Sequence, residues 1–115
     1  MSKTREIANR LLQDEITKDP GKYQMSPKAY RKLMTLCDLA DTLCEEFDAD
    51  GINVLLTPEN GMEGIIQVDL AEMSFGPGNT HPFFTMIQSA DYVGFSTYDG
   101  GVRLSLMVNN LWERN

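Results

Sequence analysis

The sequence predicts an α+β fold. Two N-terminal helices precede an antiparallel sheet of four or five strands, in the order β-β-(β)-α-β-β, with the helices packed mainly on one sheet face. Three observations predict it. Helical apolar periodicity runs up to Gly51 and stops there, while eight of the nine glycines lie at or beyond that residue. Past Gly51 the apolar residues alternate with period two, as on half-buried strands. Asn60-Gly61 and Asp99-Gly100 both sit between such alternating runs and are turn dipeptides of hairpins. The 115 residues form one domain in this reading. Residues 1–25 are a basic helical arm and loop, 26–50 a long amphipathic helix, and 51–115 the sheet with one short helix.

The first helix spans residues 3–16, where Ile7, Ala8, Leu11, Leu12 and Ile16 share one side. Asp19-Pro20-Gly21 stops it. Ser26 is the N-cap of the second helix and Pro27 its first residue, where a missing N–H costs nothing. Tyr30, Leu33, Cys37, Ala40, Cys44 and Phe47 then follow a 3-4-3-4-3 spacing, and Leu36, Leu39 and Leu43 widen the stripe. A stripe this wide faces a core or also touches a second chain. Gly51 is the expected stop.

Parity fixes the registers of the hairpins. A three-residue loop at Glu59-Asn60-Gly61 pairs Leu56 with Gly64, Val54 with Ile66 and Ile52 with Val68, which keeps one face apolar. It also sets Gly61 where a type I turn with a G1 bulge needs a left-handed residue. The last hairpin requires an even loop: a two-residue turn at Asp99-Gly100 pairs Thr97 with Val102, Phe95 with Leu104 and Val93 with Leu106. Between the hairpins, Met73-Ser74-Phe75 reads as a short strand and Gly76-Pro77-Gly78-Asn79 as a loop. Phe83, Met86, Ile87 and Ala90 then mark a short helix opened by Pro82. Ile52, Val54, Ile66, Val93, Phe95, Leu104 and Leu106 form the face under the helices. Leu55, Ile65 and Met107 leave the opposite face half apolar, to be covered by the first helix or by another subunit.

The net charge of −7 is unevenly spread. Eight of the ten Lys and Arg residues lie in residues 1–32, and none lies in residues 33–102, which hold twelve of the seventeen acids. A stretch of that length without a cation repels a phosphate backbone, so nucleic-acid binding is disfavoured and confined to the basic arm. No run of 18 apolar residues exists to span a membrane. The opening Met-Ser-Lys-Thr-Arg-Glu has no apolar core of a secretory signal. Cys37 and Cys44 stand two helical turns apart, about 10 Å, too far for a disulfide. They read as buried thiols in a reducing compartment, and the expected location is the cytoplasm.

No catalytic set emerges, and no cofactor or metal is expected. Asp48-Ala49-Asp50-Gly51 imitates the middle of a calcium loop. Its ninth and twelfth positions, however, would be Val54 and Thr57, where oxygen ligands and a bidentate Glu are required. Gly76, Gly78, His81 and Asp91 are the candidates for a small-ligand or catalytic site. They comprise a glycine-containing turn before a helix, the single histidine and a carboxylate to orient it. The same histidine has no second histidine for a metal, and the two cysteines lie in an apolar stripe that raises a thiol pKa.

The candidate interface consists of Tyr30, Met34, Asp38, Asp41, Glu45, Leu55, Ile65 and Met107. Its carboxylate row repels itself unless Lys or Arg arrives, from a partner or from residues 1–32 of another copy. Seven methionines suit an adaptable contact surface as well as a core. The element order resembles that of small acidic dimeric chaperones of bacterial secretion systems at the level of fold alone, with no diagnostic residues behind it. It is the wide stripe of the second helix, the half-apolar outer sheet face and the charge partition that point to a non-enzymatic protein binder. The expectation is therefore an acidic adaptor, chaperone-like protein or inhibitor that binds a protein partner or itself, as a homodimer. A ligand site around His81 is the alternative, and nucleic-acid contact through the basic arm the second.

Overall fold

The structure is a computed structural model that describes residues 3–46, 49–58, 62–70, 88–98 and 101–114. It is α+β, with two helices and antiparallel sheets. Helix α1 (Lys3–Lys18) leads to strand β1 (Tyr23–Met25) and helix α2 (Pro27–Glu46). Strands β2 (Ala49–Leu55), β3 (Gly64–Leu70), β4 (Tyr92–Tyr98), β5 (Gly101–Val108) and β6 (Trp112–Arg114) follow. One sheet has four strands in the order β2-β3-β5-β4, and β1 and β6 form a second, two-stranded sheet.

The start of α2 is built as its sequence predicts. Ser26 Oγ accepts the Ala29 amide at 3.3 Å, and Ser26 O accepts that of Tyr30 at 2.9 Å. Its end differs from expectation. The helix stops at Glu46, and Gly51 lies inside β2 instead of capping α2. Asp50 and Gly51 are poor helix formers, and the alternation of Ile52 and Val54 extends the strand back to Ala49 through a register shift between Ala49 and Gly51. The first helix also runs two residues beyond residue 16, to Lys18, before Gly21 turns the chain at a φ of +82°.

Both hairpins have the registers derived from parity. Val54 faces Ile66 and Ile52 faces Val68 in one; Thr97 faces Val102, Phe95 faces Leu104 and Val93 faces Leu106 in the other. The turns themselves, the 73–75 strand and most of the 82–90 helix fall outside the described residues, although Gln88 and Ser89 are helical. Strands β3 and β5 join the hairpins side by side, with Ile66 against Leu106 and Val68 against Leu104.

Strands β1 and β6 were not expected, and they change the single sheet into two. Each is three residues long, too short to show a period. Met25 pairs with Trp112, and Ser26 N donates to Leu111 O at 3.0 Å, which clamps the C-terminal strand to the start of α2.

The core lies between the four-stranded sheet and the helices. Leu33, Leu36, Cys37 and Ala40 of α2 are fully buried with Ile66, Val68, Leu70, Leu104, Leu106 and Val108 of the sheet. Leu111 and Trp112 close one end. Core side chains crowd the backbone at Gly64, where a Cβ would come within 2.9 Å of Leu111 Cδ2 and 3.2 Å of Leu56 Cδ2. Phe95 departs from its expected burial. It shares the inner face with Leu104 but is 52% exposed, because β4 is an edge strand and α2 lies over β2, β3 and β5.

Candidate functional site

Strand periodicity creates a sheet with two different faces. Along β3, Gly64, Ile66, Val68 and Leu70 are buried, while Ile65, Gln67 and Asp69 between them keep partial exposure. Cross-strand pairing then arranges the outer face in rows. Leu55 faces Ile65, Ile65 faces Met107, and Met107 faces Tyr92, so one apolar row crosses all four strands. The next row is polar, with Asn53, Gln67 and Ser105, and Gly94 at its end. The row after that holds Asp69 and Arg103, joined at 2.7 Å. Among the described residues both helices pack on the opposite face.

Tyr92 completes the apolar row and is 57% exposed. Its ring reaches over Gly94, where a Cβ would meet Tyr92 Cε1 at 2.9 Å. The absent side chain lets the ring lie along the sheet. Tyr92 was legible in the sequence: the even-length turn that pairs Phe95 with Leu104 also sets Tyr92 opposite Met107.

Leu55, Ile65 and Met107 are thus brought together, and the rest of the candidate interface is elsewhere. Tyr30 donates its hydroxyl to Asn9 Oδ1 at 2.7 Å, and Met34 is 7% exposed in the core, so Met34 presents no surface to a partner. Asp38 binds Arg5 at 2.6 Å, and Asp41 accepts the Thr4 hydroxyl at 2.6 Å. The cations and donors for this carboxylate row therefore come from α1 of the same chain. Glu45 is exposed, beside Lys3, Asp41 and Cys44 around a cavity of about 260 Å³. The basic arm and the acidic helix attract each other in cis.

Gly76, Gly78 and His81 lie outside the described residues. Asp91 is a clamp: one carboxylate oxygen takes Lys32 Nζ at 2.8 Å and the other the Asn109 amide at 2.8 Å. Both bonds, the Lys32 bond first, hold its carboxyl below the usual carboxylate range. They tie the start of β4 to α2 and to the turn after β5, where Asn110 adopts a left-handed φ of 57°. A polar cavity of about 350 Å³ adjoins this clamp, with Lys28, Lys32, Asp91 and Glu113 supplying equal numbers of each charge. Asp69 is likewise held below its ordinary range by its bond from Arg103.

Burial, reinforced by Asp41 and Asp38, pushes the Cys37 thiol up to about 12, and burial followed by Asp41 and Glu45 raises that of Cys44. Neither thiol is a ready nucleophile at neutral pH, and neither paired carboxylate is a ready base. Among the described residues no group of three or more His, Cys, Asp and Glu could hold a metal ion, and no helix is long and apolar enough to cross a membrane.

The Asp91 clamp makes a pH prediction. A carboxylate depressed by folding adds stability above its unfolded pKa, near 3.9, and that contribution disappears as pH falls through the lower folded value. Asp91→Asn is expected to lower stability at pH 7 by about 1 kcal/mol, since the side chain is 26% exposed and its ion pair is screened. Urea midpoints at pH 7 and pH 3 check it, with a smaller acid loss in the variant than in the wild type.

No family model matches the chain, and no curated protein or solved structure is significantly similar to it.

Proposed function

We propose that this chain is a small non-enzymatic protein-binding module, adaptor- or chaperone-like, whose binding surface is the outer face of the four-stranded sheet. The observation that carries the reading is the continuous apolar row Leu55–Ile65–Met107–Tyr92, which lies opposite the helix-covered face. Its occupant is a basic amphipathic segment of a partner protein. The apolar side of that segment meets the row, and its cations answer a chain of net charge −7. Two free cysteines fit a reducing compartment, and the cytoplasm is part of the same reading. The pairing of Asp69 and Asp91 and the raised thiols weigh against a catalytic role for these groups.

A photo-crosslinking residue tests the surface in cells. Placed at exposed Asn53, on the outer face, it is expected to give a discrete protein adduct that weakens as salt is raised before irradiation of a fresh lysate. Placed at exposed Thr35 on α2, it is expected to give none. Equal adducts from both positions, or none from either, contradict the reading.

A further inference from the structure

The polar cavity of about 350 Å³ lies where the start of α2, the residue before β4 and the turn between β5 and β6 meet. It shares no residue with the outer apolar row. Its four charged side chains are of two kinds. Lys32 and Asp91 neutralise each other at 2.8 Å, and the second oxygen of Asp91 takes the Asn109 amide at 2.8 Å. That pair serves the fold, because it ties three segments together.

Lys28 and Glu113 have no such task. Both are exposed, and neither makes an ion pair or a side-chain hydrogen bond with any described residue. The Asp91 carboxyl is held down first by Lys32, then by the Asn109 amide, and least by the charge of Lys28. The Lys28 ammonium therefore sits within electrostatic reach of the cavity's carboxylate without being bound to it. The side chains of Asn109 and Asn110 also line the cavity, and each brings amide donors and a carbonyl acceptor.

The balance of charge selects the class of ligand. A plain anion meets Lys28 but is opposed by Glu113 and Asp91, and a plain cation meets Glu113 but is opposed by Lys28 and Lys32. A zwitterion answers both unmatched charges and brings no net charge into a site that has none. The two asparagine amides suit a polar group between or beside those charges. The volume stands at the lower end of small-molecule sites, which run from about 300 to 1,000 Å³.

We propose that this cavity binds a small zwitterion, a free α-amino acid with a polar side chain, its carboxylate on Lys28 and its ammonium on Glu113. The ligand then bridges α2 and β6 beside the Asp91 clamp. This site is independent of the outer-face reading. Both of its charges are exposed, so the dissociation constant is on the order of 1 mM.

Titration of the full ¹⁵N-labelled chain with L-glutamine and with L-serine, followed through backbone amide shifts, tests it. Saturable shifts are expected around Lys28, Asp91, Asn109, Asn110 and Glu113. N-acetyl-L-glutamine lacks the ammonium and L-glutamine amide lacks the carboxylate, and each is expected to bind at least ten-fold more weakly than L-glutamine. Lys28→Gln and Glu113→Gln are each expected to cause a similar loss with an unchanged urea midpoint, since both positions are exposed. Arg114→Gln removes a positive charge as Lys28→Gln does, but beside the cavity's lining, and is expected to bind as the wild type does. No saturable shift with either amino acid overturns the proposal, and so does equal binding of the two blocked derivatives. Binding that survives both charge variants overturns it as well. None of these outcomes changes the crosslinking expected at Asn53.

Discussion

Trp112→Ala is expected to cost about 3–5 kcal/mol of folding stability, the range for removing a large aromatic side chain from a core. Trp112 is 2% exposed. Its ring meets Tyr23 edge-on with centroids 6.4 Å apart, and its indole N–H donates to Leu56 O. Its backbone amide donates to Met62 O at 3.1 Å, and the residue pairs with Met25. One side chain thus links the C-terminal strand, the end of β2 and the segment before α2. Its removal leaves a cavity and deprives the Leu56 carbonyl of its donor. A domain of this size holds about 5–15 kcal/mol in all, so the loss is a large share. Trp112→Phe retains much of the volume and loses the indole donor, and its expected cost is about 1–2 kcal/mol. Urea unfolding followed by far-UV circular dichroism checks both variants, since Trp112 is the sole tryptophan and fluorescence is lost with it.

Ile66→Ala and Ile65→Ala are expected to differ sharply although the residues are neighbours on β3. Ile66 is fully buried between Val54 and Leu106 on the inner face, and its truncation is expected to cost about 2–5 kcal/mol. Ile65 sits between Leu55 and Met107 on the outer face and keeps partial exposure. Its truncation is expected to cost less than about 1 kcal/mol, the scale of a cross-strand pair. Chemical denaturation of the two variants side by side measures the contrast. Equal large losses would mean that the outer face is packed against something in the folded chain, which contradicts an open binding surface.

The sheet was largely legible in the sequence. Period-two alternation fixes which face each residue takes, and face consistency then leaves one register for each hairpin. That is why Val54–Ile66 and Phe95–Leu104 could be paired without coordinates. The same parity contains the outer row, since the pairing of Phe95 with Leu104 also sets Tyr92 opposite Met107. The C-terminal clamp was not legible. Three-residue strands have no period, and what holds β6 is tertiary: a pairing to Met25 and an indole bond across the chain to Leu56. The end of α2 is not legible at Gly51, an ordinary helix stop in sequence that sits in the bulged strand β2 instead.

The interface candidates divide for a physical reason. An exposed carboxylate row announces that it needs cations, but not from where. Charge partition within the chain, with a basic α1 and an acidic α2, lets Arg5 and Thr4 satisfy Asp38 and Asp41 at no cost in association. The apolar row Leu55–Ile65–Met107–Tyr92 is the part of the candidate interface on which the proposed partner binding rests.

The central claim is that the outer sheet face binds protein while the inner face folds the chain. Ile65→Glu, introduced together with the photo-crosslinking residue at Asn53, tests it most directly. The account predicts a variant that unfolds at nearly the wild-type urea midpoint and has lost the Asn53 adduct. An unchanged adduct in a folded Ile65→Glu protein would contradict it.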